Sequence, residues 1–309
     1  MKMAPEWHDR LRHWIATLEK DFYQPLGEIS FEGLCTYEHF KPEEAEKLPG
    51  YAPVPEGTVW GNEWEYMWLK GAVTLPPEAE GKMIVMDLNP GGETTLFVNG
   101  KAFGTCRADW VSIPHHFMED NILAENAKAG DRFDILAEAY AGHFFPNGKI
   151  AYCGPGPVLP GSYQDPKAGK QRTAMGKNTY GVWNEDAYQL WMDVKTLAEV
   201  MECLPDSSLR AGKIAKALQN FTLAVDFEQP LEGRIADYKK GREILKDALS
   251  CVNGSTAPTF YGIGNAHLDV VWLWPLAETE RKVARTFAAQ LRLIEKYPGY
   301  RFLQSQPQT

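Results

Sequence analysis

The chain opens with a helical pattern of apolar and polar positions. Between residues 5 and 22, large apolar side chains recur every three or four residues, and Pro5 stands where the first turn of a helix tolerates proline. This pattern predicts an N-terminal helix within residues 1–24. The same periodicity returns three times between residues 184 and 254, first in a stretch that ends at Pro205, and it predicts a three-helix segment there.

Between these helical regions, residues 25–183 carry short β-like runs broken by proline and glycine. The clearest runs are Thr58–Val73, Met83–Leu88, Thr94–Val98 and Phe133–Ala139. Asn99-Gly100 predicts a tight hairpin, because a type I′ turn needs a positive φ at both central residues. We therefore predict an all-β domain arranged as a sandwich. Residues 153–183 are rich in glycine, proline and lysine and predict a long connection that is either functional or disordered.

Residues 255–309 return to an alternation of strand and helix. Thr259–Gly264 reads as a buried strand, Pro275 opens a helix that runs to about Lys296, and Tyr300–Ser305 reads as a second strand. The helix should pack on a parallel sheet through one apolar face, made of Leu276, Val283, Ala284, Phe287, Leu291 and Ile294. One β-α-β unit does not bury both faces of its strands, so we expect the natural polypeptide to continue beyond Thr309.

Charge and composition exclude several classes of partner. The net charge of −9 would repel a nucleic acid backbone, and no stripe of arginine and lysine offsets it. No apolar run approaches the roughly 20 residues that span a bilayer, and the N-terminal charges leave no room for a secretory signal. We therefore expect a cytoplasmic protein without a membrane partner. The five scattered cysteines predict reduced packing residues and no thiolate metal site.

The candidate chemistry lies in the segment that follows the first predicted strand of residues 255–309. His267 and Asp269 stand two residues apart at the carboxyl end of that strand, where open α/β folds place ligand sites. If the strand geometry persists, both side chains project from one face, and imidazole with carboxylate is a suitable ligand pair for zinc. A catalytic zinc needs about three protein ligands, so the others must lie elsewhere. By spacing alone, an ordinary loop or a hydrogen-bonded core histidine is the better interpretation.

The sequence context changes that interpretation. Ala-His-Leu-Asp-Val-Val-Trp-Leu-Trp-Pro-Leu-Ala-Glu-Thr-Glu-Arg-Lys begins at Ala266, and Tyr-Pro-Gly-Tyr-Arg-Phe-Leu-Gln-Ser-Gln-Pro-Gln begins at Tyr297. Together they strongly resemble the start of the catalytic domain of class II α-mannosidases, glycoside hydrolase family 38, over roughly residues 258–309. The resemblance implies that His267 and Asp269 are the first two ligands of one zinc ion. It also implies that Trp272 packs against the mannose ring.

The resemblance has further implications for the whole protein. In the family, later segments supply a nucleophilic aspartate, a further histidine ligand and an acid/base carboxylate, and none of those motifs occurs here. The chain thus resembles the N-terminal part of a retaining, zinc-dependent exo-α-mannosidase acting on α-mannoside oligosaccharides, and alone it should be inactive. The implied fold class is multidomain: an N-terminal helix, an all-β jelly-roll-like sandwich, a three-helix segment and the first β-α-β unit of an α/β catalytic domain. Its uncovered strand edges predict either a homo-oligomer formed through residues 258–309 or poor order in that region.

Neighbouring residues receive simpler interpretations. Trp274 should anchor the loop, and Gln306, at the end of the next strand, is a further candidate residue of the same cleft. Glu278 and Glu280 fall in the first turns of a helix, where the macrodipole favours acidic side chains without any catalytic role. The His115-His116 pair would point to opposite faces of a strand and is a poor chelate.

Two other functions remain open from the sequence. Ten tryptophans and thirteen tyrosines suit sugar stacking as well as a large β core. The sandwich weakly resembles galactose-binding-like domains. The alternative function is therefore that of a non-catalytic carbohydrate-binding protein, in which a sugar would stack on Trp64, Trp68 or Trp110. A different zinc hydrolase, such as a polysaccharide deacetylase, also uses His and Asp as metal ligands but lacks the Trp-Leu-Trp-Pro continuation that begins at Trp272.

Overall fold

The computed structural model describes residues 3–62, 64–107, 118, 120–142, 173–271 and 274–307. These residues form two compact units, which are described separately: residues 1–24 with 183–260, and residues 25–182 with 261–309. The predicted division into 1–24, 25–183, 184–254 and 255–309 remains a prediction. No helix in the described ranges is long and apolar enough to cross a membrane.

The described elements alternate in character along the chain. The helices are α1 Pro5–Lys20, α2 Pro42–Ala45, α3 Glu185–Cys203, α4 Leu209–Ala224, α5 Leu231–Leu249 and α6 Leu276–Lys296. The strands are β1 Tyr23–Glu28, β2 Phe31–Thr36, β3 Ala52–Pro53, β4 Val59–Trp60, β5 Tyr66–Thr74, β6 Ile84–Asp87, β7 Glu93–Val98, β8 Lys101–Arg107, β9 Ile122–Ala124, β10 Arg132–Tyr140, β11 Thr173–Ala174, β12 Thr179–Trp183, β13 Gly264–Asn265 and β14 Phe302–Leu303.

The first unit is built from helices, and the four helices that the periodicity predicted are confirmed. Helix α1 packs with α3 and α4, and α5 packs against both α3 and α4. Leu18, Leu190, Leu218 and Phe221 are fully buried in these contacts. Helix α3 ends at Cys203, two residues before the predicted break at Pro205. The repeating apolar positions therefore face one another, as amphipathic helices require.

The second unit contains two larger β-sheets with a shared apolar core. One sheet has the strand order β1-β12-β6-β9 and the other the order β3-β2-β5-β10-β7-β8. Alternate residues of the long strands point into the core: Leu69 and Val73 from β5, Leu96 from β7, and Ala137 from β10, together with Ile84 of the other sheet. Burial of one face of each sheet against the other is the arrangement that defines a β-sandwich.

Two local predictions in this unit have different outcomes. The hairpin is confirmed, because Asn99 and Gly100 both have a positive φ, 50° and 72°, and they join the antiparallel strands β7 and β8. Residues 153–183 are not one continuous connection, because Thr173–Ala174 and Thr179–Trp183 are strands that pair with β4 and β6. Residues 153–172 lie outside the described part of the chain.

The C-terminal strand pair is parallel, as predicted, but much shorter than the sequence suggested. Gly264 pairs with Phe302 and Asn265 with Leu303. The prediction of a buried strand over Thr259–Gly264 is wrong, because Phe260 and Tyr261 are 88% and 86% exposed. Two short strands bury little surface between them, so the preceding apolar residues find no cover in the described chain.

The predicted packing face of helix α6 is also wrong. The residues of α6 that are buried are Glu278, Thr279, Arg281, Arg285 and Ala288. The predicted apolar face is largely exposed instead, with Leu276 at 54%, Leu291 at 57% and Ile294 at 45%. The helix therefore lies with its polar side against the sandwich, along strands β7 and β8. Charge pairing with the sheet, described below, explains this orientation.

The cysteines only partly follow the prediction of reduced packing residues. Cys35, Cys106, Cys203 and Cys251 are free thiols. Cys106 is buried in the core, whereas Cys35 and Cys203 are exposed. Cys153 lies outside the described residues.

Candidate metal centre

The His-x-Asp motif lies in the loop that follows strand β13. The Asn265 side chain donates a hydrogen bond to the carbonyl oxygen of Leu303, 2.7 Å away, and so ties the end of β13 to β14. Beyond it, His267 Nε2 lies 3.1 Å from Asp269 Oδ1. The strand has already ended at Asn265, so the loop brings the two side chains together, rather than the strand alternation that we predicted.

The pair fits part of a zinc site. Two ligands that each lie 2.0–2.2 Å from a tetrahedral zinc ion are roughly 3.3–3.6 Å apart, slightly more than the 3.1 Å between these two donor atoms. Both side chains are accessible, with 69% of His267 and 38% of Asp269 exposed. Within the described ranges, no group of three or more His, Cys, Asp and Glu side chains is arranged to hold a metal ion. The donor set is therefore suitable in chemistry and spacing, with two ligands contributed by this loop.

Two backbone amides hold the loop on either side of Asp269. The Leu268 N–H donates to Gln306 Oε1 at 3.0 Å, so the side chain predicted near the cleft binds the motif itself. The Val271 N–H donates to Thr279 Oγ1 at 3.1 Å. Val271 has a φ of +66°, which is unfavourable for a β-branched residue. The carboxylate thus lies between two fixed backbone positions.

Trp274 anchors the far end of the loop. Its indole Nε1 donates to the same Thr279 Oγ1, 3.1 Å away, and its ring packs against the buried cluster of Trp64, Tyr66 and Tyr140. This placement agrees with the predicted anchoring role. Trp272, the predicted substrate-binding residue, lies outside the described residues.

Comparisons with known proteins agree with these observations. Residues 257–309 match the family described as "Glycosyl hydrolases family 38 N-terminal domain", and residues 28–171 match "Alpha-mannosidase, jelly roll domain". These matches agree with the resemblance to glycoside hydrolase family 38 that the C-terminal motifs carry. The first matched region contains the whole His-x-Asp loop, helix α6 and strand β14, and the second contains most of the sandwich.

The curated proteins that the chain resembles are named as α-mannosidases. The chain is 27% identical to Alpha-mannosidase G of Dictyostelium discoideum over 84% of its length, and 21% identical to Alpha-mannosidase 2C1 of Mus musculus over 96%. A segment of 48 residues, 16% of this chain and 4% of the relative, is 52% identical to the Alpha-mannosidase of Saccharomyces cerevisiae. The chain spans only 22% and 28% of the lengths of the first two relatives.

The sandwich does not present the two described tryptophans, Trp64 and Trp68, as sugar platforms. Trp64 is 4% exposed and Trp68 is 1% exposed, so neither ring face is available to a sugar. Trp110 lies outside the described residues. The hypothesis of a carbohydrate-binding protein loses these two platforms, because stacking requires an accessible aromatic face.

Helix α6 is attached to the sandwich by a cluster of six charged side chains, which we call the α6 ion cluster. Its members are Glu93 and Glu138 from the sheet and Glu278, Arg281, Lys282 and Arg285 from the helix. Three acidic and three basic side chains balance the charge. Most of the cluster is removed from water, because Glu278 is 1% exposed and Arg285 is 5% exposed.

The contacts of the α6 ion cluster join sheet and helix directly. Arg281 Nε donates to Glu138 Oε1 at 2.8 Å, and Lys282 Nζ donates to Glu93 Oε2 at 3.0 Å. Arg285 Nη2 lies 3.2 Å from the same Glu93 oxygen and also donates to Glu278. Charged hydrogen bonds across an interface help to fix its orientation, because they depend on the directions of donor and acceptor.

Two tyrosines complete the attachment. The Tyr66 hydroxyl donates to Glu278, and its ring lies 4.5 Å from the Arg281 guanidinium carbon and stacks on Tyr140. Burial raises the pKa of both phenols well above the usual value, and the negative charge of Glu278 adds to the effect. Both tyrosines therefore stay neutral hydrogen-bonding groups at physiological pH.

The cluster also sets the ionisation of its charged members. Burial raises the pKa of Glu138, while Arg281 and Arg285 act in the opposite direction. Burial alone would lower the pKa of Arg285, but Glu278 and Glu93 outweigh it and the pKa is raised. The arginine thus remains charged inside the interface because of these carboxylates.

Sequence reasoning missed the role of Glu278, which we had assigned to the helix macrodipole. A signal was present: residues 278, 281, 282 and 285 are charged at intervals of three and four, which places them on one helical face. Such a face is usually exposed to solvent. Only the partner carboxylates of β7 and β10 show that it is buried here.

Proposed function

We propose that this chain is the N-terminal part of a retaining, zinc-dependent exo-α-mannosidase that hydrolyses α-mannoside oligosaccharides. The observation that carries the proposal is the placement of His267 Nε2 3.1 Å from Asp269 Oδ1, inside the segment that matches the family 38 N-terminal domain. The α-mannosidase names of the curated relatives support the substrate class.

In this proposal, His267 and Asp269 hold one face of the metal and leave its other face to ligands from elsewhere. A bound zinc ion would act as a Lewis acid on hydroxyl groups of the sugar and favour the distorted ring of the transition state. Gln306 and Thr279 hold the backbone on either side of Asp269 and keep its carboxylate directed beside the imidazole. Trp274 packs the inner side of the loop against the aromatic cluster of Trp64, Tyr66 and Tyr140.

The remaining catalytic groups are not proposed among these residues. A retaining glycosidase needs two carboxyl groups about 5–5.5 Å apart, one acting as nucleophile and one as acid/base. Asp269 serves the metal, and Glu278 is 1% exposed and paired with Arg285, so neither is free for that chemistry. We therefore propose that the 309-residue chain alone is inactive and that a longer polypeptide is required.

Metal binding is the first test of the proposal. Replacing His267 or Asp269 with alanine removes one of two donors, so the affinity of the chain for Zn²⁺ should fall at least tenfold in a competition titration with a chromophoric chelator. His8→Ala is a matched control, because His8 is a partly exposed histidine on helix α1 in the other unit. Unchanged affinity in both site variants would reject the metal site.

Hydrolysis of a chromogenic α-mannoside is the second test. We expect no turnover by the 309-residue chain, and zinc-dependent turnover by a polypeptide extended to the length of its relatives. In the extended protein, Asp269→Ala should abolish activity while His8→Ala retains it. Turnover by the short chain that survives chelation would contradict both the zinc requirement and the need for further catalytic residues.

A further inference from the structure

We infer that Thr279 is a positioning residue for the metal centre: its hydroxyl, on helix α6, holds the strained turn at Val271 and thereby fixes the direction of the Asp269 carboxylate. The inference rests on the proposed function of His267 and Asp269 as metal ligands. It adds a residue from outside the His-x-Asp loop and assigns the sandwich a part in building the site.

The first observation is the backbone of Val271. Its φ of +66° lies in the left-handed region, where a side chain branched at Cβ is rarely found. Such a conformation persists only where the surroundings determine it, and it occurs most often at functional sites. Val271 lies two residues after Asp269, so its conformation determines the direction of the backbone that follows the metal ligand.

The second observation is the hydroxyl that holds this turn. Thr279 is 3% exposed, and its Oγ1 accepts hydrogen bonds from the Val271 N–H and from the Trp274 indole, each at 3.1 Å. A hydroxyl oxygen has two lone pairs, and both are used here. One oxygen atom therefore binds both Val271 and Trp274.

The third observation is the anchoring of Thr279 itself. The adjacent Glu278 accepts hydrogen bonds from Tyr66 of the sandwich and from Arg285, which in turn binds Glu93 of strand β7. The α6 ion cluster thus fixes the first turn of α6 on the sheet. Because Thr279 is part of that turn, the β-sandwich sets the position of the Thr279 hydroxyl.

The fourth observation is the opposite side of the loop. Gln306 accepts a hydrogen bond from the Leu268 N–H, so Asp269 is held by a residue after strand β14 on one side and by helix α6 on the other. Removal of either contact leaves one side of the carboxylate free to move. Residues that orient metal ligands in this way usually contribute 10- to 100-fold to metal affinity.

The test compares two substitutions at one position. Thr279→Val keeps the shape and removes the hydroxyl, whereas Thr279→Ser keeps the hydroxyl and removes the methyl group. We expect Thr279→Val to weaken Zn²⁺ binding by the 309-residue chain about tenfold in the chelator competition, and Thr279→Ser to remain within about threefold of the parent. The amide of Val271 should also exchange with solvent faster in Thr279→Val without any metal, as measured by hydrogen exchange.

Thr95→Val is the matched control. Thr95 is 3% exposed, its hydroxyl has no hydrogen-bond partner in the described structure, and it lies directly opposite Glu138 on the sheet. The same chemical change there should leave Zn²⁺ affinity unchanged. Equal losses in Thr279→Val and Thr279→Ser would overturn the inference, because packing and not the hydroxyl would then be responsible.

The outcomes separate the two proposals. Normal affinity in Thr279→Val together with a loss in His267→Ala would overturn the positioning role and leave the metal site intact. Normal affinity in His267→Ala and Asp269→Ala would reject the metal site and the inference with it. If Thr279→Val does not fold, Thr279→Ala provides the second variant: it also removes the hydroxyl, so Zn²⁺ affinity should fall about tenfold. Unchanged affinity in Thr279→Ala would overturn the inference.

Discussion

The α6 ion cluster yields a stability prediction whose size follows from its burial. Glu278 is 1% exposed and accepts hydrogen bonds from Tyr66 and Arg285. Glu278→Gln keeps the volume but changes the cluster from three acids and three bases to a net charge of +1. Removing one partner of a buried ion pair costs about 3–5 kcal/mol. Because Arg285 keeps its contact with Glu93, we expect the lower end, about 3 kcal/mol.

The assay is differential scanning calorimetry of the 309-residue chain. For a unit of this size, 1 kcal/mol shifts the melting temperature by about 2–4 °C, so Glu278→Gln should lower one transition by roughly 6–12 °C. Glu280→Gln is the control, because Glu280 is exposed on the same helix and its loss should cost less than about 0.5 kcal/mol. Equal melting temperatures in the two variants would refute the argument that the buried face of α6 is held by charge pairing. A higher melting temperature in Glu278→Gln would mean that desolvation of the cluster exceeds its attraction.

Three further predictions concern other parts of the chain. Asp21→Asn should destabilise the helical unit by about 2–3 kcal/mol, because Asp21 is 6% exposed and binds Arg234 through two 2.8 Å hydrogen bonds. Asp9 is exposed, so the control Asp9→Asn should have little effect. Urea unfolding monitored by circular dichroism measures both variants. Burial and the nearby guanidinium of Arg281 lower the pKa of His39 to about 4, below its usual 6.5. Between pH 4 and 6.5 the unfolded chain therefore binds more protons than the folded chain, so stability should fall as the pH drops from 6.5 to 4. In His39→Gln the urea concentration at half unfolding should depend less on pH over that range. An unchanged pH dependence would contradict this cause. The exposed apolar side of α6 should promote self-association, so light scattering should detect oligomers that Leu291→Glu disperses, and a monomeric parent chain would exclude this surface as the cause.

The sequence alone determined those features whose physical cause is local. Helices α1, α3, α4 and α5 follow from apolar side chains repeated at helical spacing, which face inward whichever helix covers them. The Asn99-Gly100 hairpin follows from the positive φ that only a few residues adopt readily. The proximity of His267 and Asp269 also follows from short spacing, although the loop and not the strand brings them together.

Only the tertiary structure decided which side of helix α6 is buried. Its apolar stripe is plain in the sequence, but a stripe does not say what covers it, and here the polar side is buried instead. The decisive partners, Glu93 and Glu138, lie more than 140 residues earlier in the chain, and no local pattern connects them with Arg281 and Arg285. The position of the Thr279 hydroxyl depends on how α6 packs on the sheet. Local periodicity therefore determined the elements, whereas long-range charge pairing decided how the metal-ligand loop is held.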